Sequence, residues 1–159
     1  MNHRRLFLGL LGCVIALVAS CGGAPQTPED QVRALIQQAT AAAEDRSVGK
    51  LRALISARYA DEQQRDKRAI EALLRFHFLR NTSIHLFTRV PSVTLTDLDH
   101  AQATVFVAMA GVPIASVDDL PALRADLHHF ELEFVREENT WRLQRAAWQR
   151  AEPAEFVTP

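Results

Sequence analysis

The stretch DLHHFELEFVREENTWRLQRAAWQR, residues 126–150, decides the fold class. Its first ten residues alternate. His128, Phe130, Leu132 and Phe134 fall on one face of a strand, and Leu127, His129, Glu131, Glu133 and Val135 on the other. The polar segment REENT, residues 136–140, supplies a hairpin turn, and WRLQRAAWQR returns as the partner strand. Trp141, Leu143 and Arg145 share one face of that return strand. Trp148 has the opposite parity, so it joins the same core only through a bulge. Glu131, Glu133 and Arg142 are expected to form cross-strand charge pairs on the outer face. Leu127 and Val135 make that face a candidate for dimerisation.

Upstream, AQATVFVAMA (101–110) is rich in β-branched and apolar residues and predicts a buried strand. Ile84, Leu86, Thr88 and Val90 alternate with His85, Phe87 and Arg89; Pro91 interrupts, and SVTLT continues in extended form up to the turn DLDH. The long connection GVPIASVDDLPALRA (111–125) has room for a helical turn. The first half of the chain has helical spacing instead. Thr27-Pro28 with Asp30 starts a helix whose apolar face is Val32, Leu35, Ile36, Ala39 and Ala43. Ser47 caps a shorter helix with Val48, Leu51, Leu54 and Ile55. Asp66 caps a third, whose predicted buried face is Ile70, Leu73, Leu74, His77 and Phe78. Helices segregated before strands give an α+β fold. The expected architecture is three N-terminal helices packed on a curved antiparallel sheet of four to six strands, cone-shaped, over residues 28–150. The tail AEPAEFVTP (151–159) reads as loosely attached.

The chain opens with Arg4-Arg5, an apolar run from Leu6 to Val18, and small residues, which is the order of a secretory signal. Val18-Ala19-Ser20-Cys21 resembles a bacterial lipobox. That resemblance implies diacylglycerol on the Cys21 sulfur, cleavage before Cys21, acylation of the new amino terminus, and a lipidated tether over 21–27. Gly22 rather than Asp after the cysteine implies, by analogy with enteric bacteria, the outer membrane on its periplasmic side. Taking residues 1–20 from the 159 leaves 139, and the loss of Arg4 and Arg5 moves the formal charge from −1 to −3. Cys13 leaves as well, so no intrachain disulfide, cysteine catalysis or cysteine-bound zinc is available. Mild acidity without a basic patch excludes nucleic acid as the expected partner. No metal motif and no cofactor motif is present.

The helices PEDQVRALIQQATAAAEDRSVGKLRALIS, the segment ISARYAD and the closing pair HHFELEFVREENTWRLQRAAWQR together resemble the nuclear-transport-factor-2-like superfamily, also described as cystatin-like or SnoaL-like. The resemblance implies a cone whose mouth is a small-molecule site. The candidate lining residues are Tyr59, His77, His128, Phe130, Phe134 and Trp141. His77 continues the apolar face of the third helix, His128 shares the face of Phe130, and Tyr59 is the only tyrosine. A ketosteroid-isomerase-type site also needs a carboxylate base inside the cone, and Glu131 and Glu133 lie on the opposite face. Three readings follow. One is a non-enzymatic envelope lipoprotein that binds a small apolar ligand or serves an envelope complex. Another is an isomerase, cyclase or dehydratase using His77, His128 and Tyr59. The third is an assembly module, a homodimer or a partner-bound form, that uses its sheet face. The unmet need for a carboxylate favours the first.

Overall fold

The computed structural model describes residues 26–157. Helix α1 runs Pro28–Glu44, α2 Val48–Leu54 and α3 Lys67–Arg80. Strands β1 (His85–Leu95), β2 (His100–Ala110), β3 (Asp126–Glu137) and β4 (Thr140–Arg150) follow, with a 3₁₀ turn and a short helix α4 (Leu120–Leu123) between β2 and β3. The sheet is an antiparallel meander in the order β1-β2-β3-β4. This is the expected α+β arrangement, at the lower end of the expected strand number. The predicted signal, Cys21 and most of the tether lie outside the described residues.

Helices α1, α2 and α3 start where their capping chemistry dictates. The Thr27 hydroxyl accepts the Asp30 N–H and the Asp30 carboxylate accepts the Thr27 N–H, a reciprocal pair ahead of Pro28. Ser47 and Asp66 accept from Lys50 and Ala69 at the starts of α2 and α3. The β3–β4 hairpin closes on Glu138 and Asn139, both with positive φ, the backbone of a two-residue turn that matches strand twist.

Two bulges shape the sheet. In β4 the register slips beside Glu133 and Phe134, which pair with Arg145 and Leu143, so Gln144 is the extra residue. The slip resets parity. Ala146 and Trp148 therefore continue the core face of Trp141 and Leu143, and Arg145 turns outward to lie 3.9 Å from Glu133. Arg145 was expected on the core face; the bulge is what removes it. In β1 the slip lies between Arg89 and Ser92, so Pro91 sits in a bulge and the strand continues through it rather than breaking.

The concave face of the sheet and α1 form the main core. Val32, Leu35 and Ile36 pack on Ala101, Ala103, Val105, Phe134 and Trp141. A second cluster joins Ala42, Leu51, Phe78 and Ile84, and a third joins Ile55, Tyr59, Ile70 and Ala146. At this closed side Glu137 ties three segments together. It accepts from the Ser56 hydroxyl at 2.8 Å and from Arg58 at 3.2 Å, and Arg142 lies 3.5 Å away. Arg142 therefore pairs with Glu137, not with Glu131 or Glu133. The Ser56 hydroxyl bond holds the Glu137 carboxyl below its usual range against the opposing effect of burial, and Arg58 and Arg142 add to the lowering.

The convex face is not bare. Ala108, Leu120 and Phe156 form a buried cluster there, with Phe87, Phe106, Ile114 and Leu127 against it. Residues 151–157 are thus docked rather than loose, and the 3₁₀ turn Pro153–Phe156 carries Phe156 onto the sheet. Leu127 is covered by this cluster and Val135 is buried, so neither of the two apolar contacts expected for sheet-face assembly is on offer. Helix α3 also differs from its expected face. Leu73 is 41% exposed while Glu71 turns inward and is bonded to Arg75. The buried stripe is Ile70, Leu74 and Phe78, packed on the second and third clusters, and Leu73, Phe76 and Leu79 are left outside.

Candidate functional site: the open end of the cone

The six candidate lining residues divide into two groups. Phe134 and Trp141 are packed in the main core and Tyr59 in the third cluster, so all three fill the inside of the cone. His77, His128 and Phe130 are half-buried at its open end. Helix α3 brings His77 over β2, where Nε2 sits 3.3 Å from the Met109 sulfur. Register then carries the rim across the sheet. Met109 faces Asp126, Val107 faces His128, and His128 faces Arg150. The rings of Phe130 and Trp148 stack at 6.1 Å, and the Arg65 guanidinium lies 4.6 Å over the Trp148 ring. His129 points the other way, as strand alternation requires, and stacks on Phe106 on the convex face.

His128 is the distinctive group. Its Nδ1 is buried and has no hydrogen-bond partner among the described residues. Burial holds its pKa below the ordinary value of 6.5. Arg150 and His77 push the same way, and Asp126 and the Gln149 carbonyl oppose them. The imidazole is therefore neutral near neutral pH, with one ring nitrogen that is covered by protein and left unbonded among the described residues. Asp126 shares the concave parity of His128, a carboxylate position that reading parity only from His128 onward overlooked. It sits exposed at the rim and faces Arg150 at 3.6 Å, which makes it part of an ion pair rather than an enclosed base.

Tyr59 is 3% exposed and packs with Ile55, Ile70 and Ala146. Burial raises its pKa to about 12, and Asp61 adds to the rise. Asp61 is itself buried. Burial opposes its charge, but bonds from the Arg65 backbone and guanidinium and from the Gln63 N–H hold its pKa below the usual value. Because Tyr59 is the only tyrosine, tyrosinate absorbance reports it alone. Its titration is expected to show no ionisation at pH 10 and a rise only near pH 12 or with unfolding. A normal curve centred on pH 10 would place the phenol in solvent.

The rim offers an aromatic and aliphatic wall with one unpartnered nitrogen. Asp126 and His77 act on His128 there, while Tyr59 is packed in the third cluster. Trp148, Met109, Arg65 and Arg150 join the rim without being among the six candidate lining residues. Trp148 follows from the bulge that its parity requires, and the other three depend on strand register and on how the segments before β1 pack.

The solved structures that this chain resembles share its architecture. A protein of unknown function from Pseudomonas putida KT2440 superposes with a TM-score of 0.59 at 17% identity, over 76% of this chain and 84% of that one. It is described as nuclear-transport-factor-2-like. The fold is that of the nuclear-transport-factor-2-like proteins. A provisionally named scytalone dehydratase from Novosphingobium aromaticivorans gives 0.63 at 8% identity, over 77% and 83%. Bdellovibrio bacteriovorus Bd1075 gives 0.62 at 9% identity, over 76% of this chain and 40% of that longer one. No family model and no curated protein matches the chain in sequence. At these identities the nuclear-transport-factor-2-like fold is common ground, and the chemistry has to come from the rim itself.

Proposed function

We propose that this nuclear-transport-factor-2-like domain is a non-enzymatic binder of a small apolar ligand, held on the bacterial envelope by a lipid on Cys21. The anchoring rests on the lipobox-like Val18-Ala19-Ser20-Cys21 and its signal architecture, with the outer membrane, periplasmic side, as the proposed location. The observation that carries the binding role is the unpartnered Nδ1 of His128 within a wall of Phe130, Trp148 and Met109. A buried polar atom left unbonded costs about 1–3 kcal/mol. A ligand with an apolar body and one hydrogen-bonding atom recovers that cost once the half-buried His128 ring turns to present Nδ1, which the protein covers in this structure. The ligand class is therefore aromatic or aliphatic with a single hydroxyl, carbonyl or amide. A dehydratase or isomerase would require a base beside the ligand, and the rim carboxylate Asp126 is engaged with Arg150.

Native mass spectrometry of the full-length protein, purified gently from bacterial envelopes, tests this. The expected spectrum shows one small molecule bound, lost in His128→Phe and in Trp148→Ala while the thermal melt stays cooperative. A clean apo mass for the wild type would defeat the binding role. The same histidine gives a pH test. Its folded pKa lies below its unfolded value, so its contribution to stability is present above pH 6.5 and is lost as pH falls through the folded pKa. Stability against urea is expected to fall with acidification in that window, and His128→Gln is expected to flatten that part of the slope.

A further inference from the structure

β1 is an edge strand. Its hairpin closes with the Thr96 N–H on the His100 carbonyl, and the register through the Pro91 bulge turns the backbone groups of Leu86, Thr88 and Val90 outward. Helix α1 runs beside that edge and caps its flanks. Glu44 accepts the Leu86 N–H at 2.9 Å, and Arg33 donates to the Val90 carbonyl at 2.8 Å. Between them the Thr88 N–H and carbonyl have no partner among the described residues; only its hydroxyl is engaged, with Thr40 at 3.2 Å. The space alongside is a groove of about 520 Å³ lined by Arg33, Gln37, Thr40, Glu44, Thr88 and Val90.

We propose that this edge pairs antiparallel with the same edge of a second copy of the chain, on a two-fold axis at Thr88. A strand edge with free donors and acceptors is a template for another strand. Centred on Thr88, the pairing exchanges two hydrogen bonds between the two Thr88 backbones. Leu86 then meets the partner's Val90, and Val90 meets the partner's Leu86. The charges decide for a second copy over an unrelated peptide. Arg33 stands over Val90 and Glu44 over Leu86, so the two-fold places Arg33 beside the partner's Glu44 at both ends. Arg33 to Glu44 spans about 16 Å of helix, and Leu86 to Val90 spans about 13 Å of strand, so the charges bracket the paired segment. Each side chain released from its cap finds an opposite charge. Ala41, small and exposed on the groove wall, leaves room for the facing α1. The two four-stranded sheets become one.

The full-length protein in mild detergent is the material, and sedimentation equilibrium is the readout. The wild type is expected to be a dimer. Glu44→Arg and Arg33→Glu are each expected to weaken it about tenfold or more. The double swap Arg33→Glu/Glu44→Arg is expected to recover the dimer. Arg at position 44 cannot accept the Leu86 N–H and Glu at position 33 cannot donate to Val90, so recovery reads the cross-chain pair and not the internal caps. Thr88→Pro removes the central N–H while leaving the β1–β2 ladder intact, and is expected to be monomeric with an unchanged circular dichroism spectrum. A monomeric wild type, single swaps without effect, or a double swap that fails to recover would each overturn the proposal. Ligand binding at the open end of the cone is independent of every one of these outcomes.

Discussion

Phe156→Ala is expected to destabilise the protein by about 3–5 kcal/mol, the cost of removing a buried aromatic ring from a packed site. Phe156 is 2% exposed, six residues beyond Arg150, the end of the last strand. Its ring centroid lies 5.6 Å from that of Phe106 and 6.5 Å from that of Phe87. Ala108 and Leu120, each at most 1% exposed, close the cluster beneath it. The backbone leads it there. Ala151 N–H bonds the Leu127 carbonyl at 3.0 Å, extending the β4 ladder, and Arg89 donates to the Glu155 carbonyl at 3.0 Å. A shift of the urea midpoint at constant slope measures the loss. Val157→Ala is the control. That residue is 63% exposed, and a change within about 0.5 kcal/mol is expected. If Phe156→Ala costs no more than Val157→Ala, the last turn is not docked in solution and the convex face lies open.

Phe156 also marks where sequence reading stops. A single aromatic in AEPAEFVTP has no period, because a four-residue turn completes barely one repeat of a 3₁₀ helix. Its burial depends on what the sheet presents to it, and that is set by residues 87, 106 and 120 elsewhere in the chain. The opposite holds for residues 126–150. There alternation over ten residues, a polar turn and a tryptophan at the wrong parity were enough to place a hairpin and to require a bulge. The three N-caps at Thr27, Ser47 and Asp66 were equally legible, since capping is local chemistry. Helix α3 shows the limit of periodicity. Leu73 and Leu74 both fit an apolar stripe, and only the neighbours that the rest of the chain supplies, the clusters of Ala42 and Leu51 and of Ile55 and Tyr59, decide that Leu74 is packed and Leu73 is half out. The rim has the same origin. His128 and Phe130 could be read from alternation, but Met109, Asp126 and Arg150 join them through cross-strand register, which no single strand encodes.

Cys21→Ser is expected to abolish incorporation of radiolabelled palmitate, while Cys13→Ser is expected to leave it unchanged. The chain has two cysteines, so the pair of variants separates the lipid site from the apolar run that precedes it. Cys13 lies inside that run. On the proposed anchoring it leaves with the signal, and Cys21, after Val18-Ala19-Ser20, becomes the new amino terminus. The energetics make the lipid decisive. One acyl chain gives only marginal, reversible binding, whereas two or more, at about 0.8 kcal/mol per buried methylene, hold a protein on a bilayer. Label retained in Cys21→Ser, or a wild type without label and released from the membrane, would point to an ordinary secretory signal instead. The tether then sets the working distance. Gly22 to Thr27 reaches about 20 Å when fully extended, and the reciprocal Thr27–Asp30 cap fixes where α1 begins. A domain held that close to a bilayer meets apolar molecules at the concentration they reach in lipid, not in water. For such a domain a half-open rim of Phe130, Trp148 and Met109 can serve where a soluble carrier would need a sealed cavity.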